Sequence, residues 1–134
     1  MAKVENFRTF AVYNRSIDLS MSVKQAINDR KADLTEYEIG VLNKNAVIIP
    51  NKIAAAIAQV NMKVRFKKLN EAKSTVIQIQ TIILELKKRK KIDEQLWKEV
   101  DSYLMEVMKL MNGYFKWLKN DRKQNQIMEG KHDE

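Results

Sequence analysis

The sequence holds no cysteine, one histidine, one proline and three glycines among 134 residues. Without cysteine there is neither a disulfide framework nor a thiolate ligand, and the fold needs no oxidising compartment. The one histidine, His132, lies in the polar stretch Glu129-Gly130-Lys131-His132-Asp133-Glu134, where a solvated, idle imidazole is expected. One histidine and no thiol exclude the common zinc and copper ligand sets, and also the Glu-x-x-His pairs of di-iron bundles. Glu71 and Glu85, like Glu99 and Glu106, fall beside the apolar stripes and not on them, the ordinary place of solvated glutamates. Gly40, Gly113 and Gly130 are isolated, so no phosphate-cradling loop or nucleophile elbow can be assembled. No metal, no cofactor and no enzymatic activity are expected.

Long apolar runs are missing as well. The longest, Ile53 to Ala58, falls far short of the roughly 20 residues of a membrane-spanning helix. Met1-Ala2-Lys3-Val4-Glu5 leads into no uninterrupted apolar segment, so no secretory leader is expected and the cytoplasm is the expected compartment.

What the sequence does contain is helical periodicity. Apolar residues recur at alternating spacings of three and four: Ile39, Leu42, Ala46, Ile49, Ile53, Ala56 and Val60; Leu69, Ala72, Val76, Ile79, Ile83 and Leu86; Leu96, Val100, Tyr103, Val107, Leu110, Tyr114 and Trp117. Such spacing places each set on one stripe of a helix and offers no face to a half-buried strand. A weaker stripe, Phe10, Tyr13, Ile17, Met21 and Ile27, predicts a further helix near the start. The expected fold is all-α, an antiparallel up-down-up-down four-helix bundle in one domain over residues 1–128, with helices at about 6–29, 36–60, 63–88 and 94–122 and a polar, disordered tail over 124–134.

Local signals mark the boundaries. Thr35 followed by Glu38 reads as a capping box opening the second helix, and Asp93 as the cap of the fourth. Asn61, tolerant of a left-handed conformation, is the one residue that separates the second and third helices. Pro50 falls inside the second helix, but the apolar phase is kept from Ile49 to Ile53, which predicts a kink and not a break. The fourth helix has a second seam, Trp97, Leu104, Met111 and Leu118, with Met108 and Phe115 close by. Its width is open to two readings, a broad stripe in a tight monomeric bundle or a subunit interface formed by Trp97, Leu104, Met108, Met111, Phe115 and Leu118, and the interface is the one expected. Gly113 points to a second backbone approaching there.

The charge is +8 and uneven: residues 1–61 hold eight Lys/Arg against six Asp/Glu, and residues 62–134 hold seventeen against eleven. Such an excess favours an acidic partner, nucleic acid first. Up-down topology gathers the cations into two zones. Arg30 and Lys31 join Lys87, Lys88, Arg89, Lys90 and Lys91 at one end; Lys63, Arg65, Lys67 and Lys68 join Lys116, Lys119, Arg122 and Lys123 at the other. Helices of about 24 residues place the zones roughly 36 Å apart, a span suited to a polyanion. Cations at a helix C-terminus are favoured by the helix dipole, but those opening the third helix oppose it, so another cause must favour them. Structured RNA contacted through phosphate is the expected partner.

Asn6-Phe7-Arg8-Thr9-Phe10-Ala11-Val12-Tyr13, Ile49-Pro50-Asn51-Lys52-Ile53-Ala54 and Ala72-Lys73-Ser74-Thr75-Val76-Ile77-Gln78-Ile79-Gln80-Thr81 resemble the small bacterial four-helix-bundle family that includes proteins encoded in intervening sequences of 23S ribosomal RNA genes. Met111-Asn112-Gly113-Tyr114-Phe115-Lys116-Trp117-Leu118 is similar to the helix 4 ending of the accessory variability determinant proteins of diversity-generating retroelements, which belong to the same superfamily. The resemblance covers about residues 6–118. It implies a homopentameric ring with a basic surface and a tolerated helix 2 proline; for the retroelement branch it implies binding to nucleic acid and to a partner reverse transcriptase. Where the family often reads Ile-Ala-Glu-Gly after the proline, this chain has Ile53-Ala54-Ala55-Ala56, which shifts the following turn later. The expected function is that of a non-enzymatic RNA-binding accessory subunit in a retroelement-type ribonucleoprotein. Two other functions are weighed: an intervening-sequence-encoded structural or protein-interaction oligomer that binds no nucleic acid directly, and a hydrolase.

Overall fold

The computed structural model describes the backbone of residues 2–132 and the side chains of residues 10–120. Four helices form, α1 (Ala2–Asp29), α2 (Glu36–Ile57), α3 (Met62–Lys88) and α4 (Glu94–His132), with no strand among the described residues. The expected tail over 124–134 falls where side chains lie outside those described, as do Arg122 and Lys123. Among the described residues no helix is long and apolar enough to cross a membrane.

Each start has a chemical reason. The Thr35 hydroxyl accepts from the Glu38 amide at 3.1 Å while the Glu38 carboxylate accepts from the Thr35 amide at 2.9 Å, completing the expected capping box of α2. One carboxylate oxygen of Asp93 accepts from the Leu96 amide at 2.7 Å and opens α4. Asn61 acts differently from expectation. Its backbone is extended, φ −71° and ψ 118°, and its side-chain oxygen accepts from the amides of Lys63 and Val64. It is therefore the N-cap of α3 and not a left-handed end to α2. The second helix stops earlier than 60, and Val60, expected inward, stands 90% exposed in the turn.

α2 continues through Pro50, which is itself buried. The proline supplies no amide to the Ala46 carbonyl, and burial of Ile49, Pro50 and Ile53 in the core that α2 shares with α1 and α3 offsets the missing bond. Every helix packs on its successor, and α1 closes against α4. The core contains Leu19, Leu42, Ile49, Ile53, Leu69, Ile79, Ile83, Leu104, Met111 and Tyr114, all but withdrawn from solvent. Full burial of each aliphatic side chain contributes about 1.5–3 kcal/mol. The stripes of α2 and α3 are core almost residue for residue.

Two expectations about facing fail. In α1, Phe10 is 68% exposed, Met21 64% and Tyr13 at the margin, while Val12, Ser16, Leu19, Ser20, Val23 and Ala26 are buried. Ser16 is admitted because its hydroxyl donates to the Tyr13 carbonyl at 2.6 Å and so needs no water. In α4, Leu104, Met111, Phe115 and Leu118 are buried within the single chain, and Trp97 and Met108 pack against the same core. The wide apolar arc exists because α4 contacts α1 on one side and α3 on the other. The seam assigned to a subunit interface is the chain's own core. Within the chain no backbone approaches Gly113: a Cβ built there meets nothing within 4 Å.

Candidate nucleic-acid interface

The end of α3 is closed by a lysine in an unusual conformation. The Lys91 amide donates to the Leu86 carbonyl at 2.9 Å and the Lys90 amide to the Lys87 carbonyl at 3.0 Å, the paired bonds of a Schellman motif. Lys90 occupies its left-handed position with φ 61°, a place normally taken by glycine, and for a side-chain-bearing residue this costs about 1–2 kcal/mol. The same turn brings the α1–α2 and α3–α4 connections together: Arg30 of the first pairs with Asp93 of the second.

Much of the charge at this end is already satisfied. Lys91 donates to the Glu38 carboxylate at 2.7 Å, and Arg89 lies 3.6 Å from its other oxygen and 3.9 Å from Glu85. The Glu38 side chain is only 13% exposed. The Lys91 hydrogen bond, with those from Thr35, holds its carboxyl below the usual glutamate range. Asp93 is likewise held below the usual aspartate range, first by the Leu96 amide and then by Arg30. The Lys87 ammonium sits 3.7 Å from the centre of the Trp97 ring, a cation–π contact. Lys31, Lys88 and Lys90 are exposed with no carboxylate within 4.0 Å among the described residues. Lys90 overhangs an open cleft of about 420 Å³ that Arg30, Lys91, Asp93 and Glu94 also line.

At the other end Arg65 departs from expectation. It is buried; its Nε donates to the Gln59 carbonyl at 3.0 Å and its Nη1 to the Tyr114 hydroxyl at 3.1 Å. A guanidinium so engaged holds the α2–α3 turn to α4 and is withdrawn from any phosphate. Lys119 lies 5.8 Å from the Phe66 ring centre, and Phe66 meets Phe115 edge to face at 5.0 Å. Lys63, Lys67 and Lys116 are exposed and, among the described residues, free of carboxylate partners; Lys68 is half-buried. Of the expected cations, the two zones thus retain Lys31, Lys88, Lys90, Lys63, Lys67 and Lys116 as exposed charges with neither a carboxylate nor an aromatic partner among the described residues.

Sequence reasoning missed Lys73, whose ammonium lies 5.7 Å from the Phe115 ring centre. Its signal was a spacing of seven: Phe66, Lys73, Gln80 and Lys87 recur at that interval and each touches α4, Gln80 donating to the Met105 sulfur at 3.6 Å. Glu106 pairs with Arg15 at 2.9 Å, Glu85 faces Arg89, and no group of three or more His, Asp or Glu that could hold a metal occurs among the described residues.

Comparison of the chain with protein-family models, curated proteins and solved structures gives no match in any of the three.

Proposed function

We propose that this chain is a non-enzymatic accessory protein that binds structured RNA through phosphate, using Lys31, Lys88 and Lys90 at one end of the bundle and Lys63, Lys67 and Lys116 at the other. The observation that carries this reading is Lys90. A lysine kept at φ 61°, where glycine would be easier, is exposed, lacks a carboxylate partner among the described residues and stands beside Lys88. Strain of this kind is retained where the side chain has work to do. Phosphate recognition asks for little beyond placed positive charge, and the six lysines are the exposed members of the two zones that, among the described residues, no carboxylate or aromatic ring of the chain engages.

The proposal includes an up-down-up-down, antiparallel course. It is supported by the succession of α3–α4 contacts, which rise along α3 from Phe66 to Lys87 while descending α4 from Lys119 to Trp97. The resemblance to intervening-sequence and retroelement accessory proteins adds a homopentameric ring and a reverse transcriptase as protein partner. The ring must then use surfaces other than the buried seam of α4, and the exposed Phe10, Tyr13 and Met21 of α1 are the natural choice. Size-exclusion chromatography with light scattering, with and without structured RNA, tests both parts: a pentamer that shifts on adding RNA supports them, and a monomer that ignores RNA overturns them.

A further inference from the structure

The face shared by α3 and α4 has a composition that phosphate binding does not explain. Along α3, Lys73 and Lys87 are fourteen residues apart, about 21 Å on a helix. Each is held over an aromatic ring of α4, Phe115 and Trp97 respectively. Neither has a carboxylate within 4.0 Å among the described residues. Between them lies an apolar strip: Ile77 is 45% exposed, Leu84 37% and Met105 53%, with Gln80 bonded to the Met105 sulfur in the middle. A sugar-phosphate chain needs no such strip. A second copy of the same face is disfavoured, because its lysines would meet their equivalents across the two-fold contact.

We infer that the α3–α4 face docks an acidic amphipathic helix of a protein partner, its apolar residues on Ile77, Leu84 and Met105 and carboxylates at its two ends on Lys73 and Lys87. Helix-in-groove recognition needs an apolar strip read by residues one or two turns apart. The flanking charges set partner and direction more than affinity. Methionine suits the centre because its unbranched, polarisable side chain adapts to the shape pressed on it. The face is distinct from the six lysines assigned to phosphate, so its test stands apart from theirs.

The probe is a synthetic 18-residue helical peptide with leucines on one stripe and glutamates fourteen residues apart at its ends. Controls are a scrambled peptide and one with lysines replacing the glutamates. In titrations followed by tryptophan indole and methionine methyl NMR, the acidic peptide is expected to bind in the micromolar range, moving the Trp97 and Met105 signals. Met105→Gln should weaken it at least tenfold and leave RNA affinity within twofold. The K73E/K87E pair should lose the acidic peptide and gain the lysine-bearing one, a swap that a misfolded variant could not produce. Equal binding of the scrambled peptide, no binding of the acidic one, or RNA moving the same Trp97 and Met105 signals overturns the proposal, the last assigning the face to nucleic acid.

Discussion

The Arg65 guanidinium donates to the Tyr114 hydroxyl across 3.1 Å inside the bundle, so one residue of a basic surface cluster ties the start of α3 to α4 from within. Removing it strands a buried hydroxyl and frees the Gln59 carbonyl that it also holds. Arg65→Met should cost about 2–3 kcal/mol, and Tyr114→Phe about 1.5 kcal/mol or more because the donor is charged. Urea denaturation of both singles and the double variant checks this; additive losses would show that the bond contributes nothing. RNA affinity of folded Arg65→Met should stay close to wild type.

Glu38 links stability to pH. Its carboxyl is held below the usual range by Lys91 first and by Thr35, so the folded state binds its proton less readily than the unfolded chain. The stabilisation is fully present above the unfolded value near 4.5 and disappears as pH falls through the lower folded value. Glu38→Gln keeps the capping geometry and removes the charge. Its denaturation midpoint should lie below wild type at pH 7 and converge on it toward pH 3; parallel profiles would contradict this.

Gly113→Ala should raise stability by about 1 kcal/mol, since a mid-helix glycine carries that penalty and the added methyl meets open space. If another subunit packs on that spot, the same change should instead loosen the oligomer, which light scattering would reveal. Met111, by contrast, is 1% exposed, and Met111→Glu should abolish the cooperative thermal transition seen by circular dichroism, because an unpaired charge cannot be buried there.

Lys90→Gly separates stability from function by sign. Relief of the positive φ should stabilise the chain by about 1 kcal/mol, while loss of the ammonium should weaken RNA binding. Denaturation and fluorescence anisotropy on the same sample read both. A variant more stable and equally tight for RNA would leave Lys90 without a purpose in binding.

The stripes of α2 and α3 were legible because large aliphatic residues mark the core at every step, from Leu42 to Ile53 and from Leu69 to Leu86. α1 was less so, because Ser16, Ser20 and Ala26 interleave with Val12, Leu19, Val23 and Ile27 on its buried face while Phe10 and Met21 point outward, against what hydrophobicity alone suggests. α4 misled through width: contact with two neighbours buries an arc that resembles a core plus an interface. Caps built from side chains, Thr35 with Glu38 and Asp93, could be read directly. The end of α3 could not, because its left-handed position holds Lys90 and not glycine. Within the basic clusters, sequence distinguishes neither Arg65, taken up by Tyr114, nor Lys91, taken up by Glu38, from lysines that remain free.

The salt dependence of RNA binding tests the central claim most directly. Affinity for a structured RNA is measured across ionic strength for wild type and for a variant with Lys31, Lys63, Lys67, Lys88, Lys90 and Lys116 replaced by Gln. Wild type should show log affinity falling linearly with log salt, and the variant should show a shallower line, each lost phosphate contact removing roughly 0.7–0.9 from the slope. An unchanged slope in the folded variant, or no binding by wild type at low salt, would contradict the account and leave the lysines as a solvated surface.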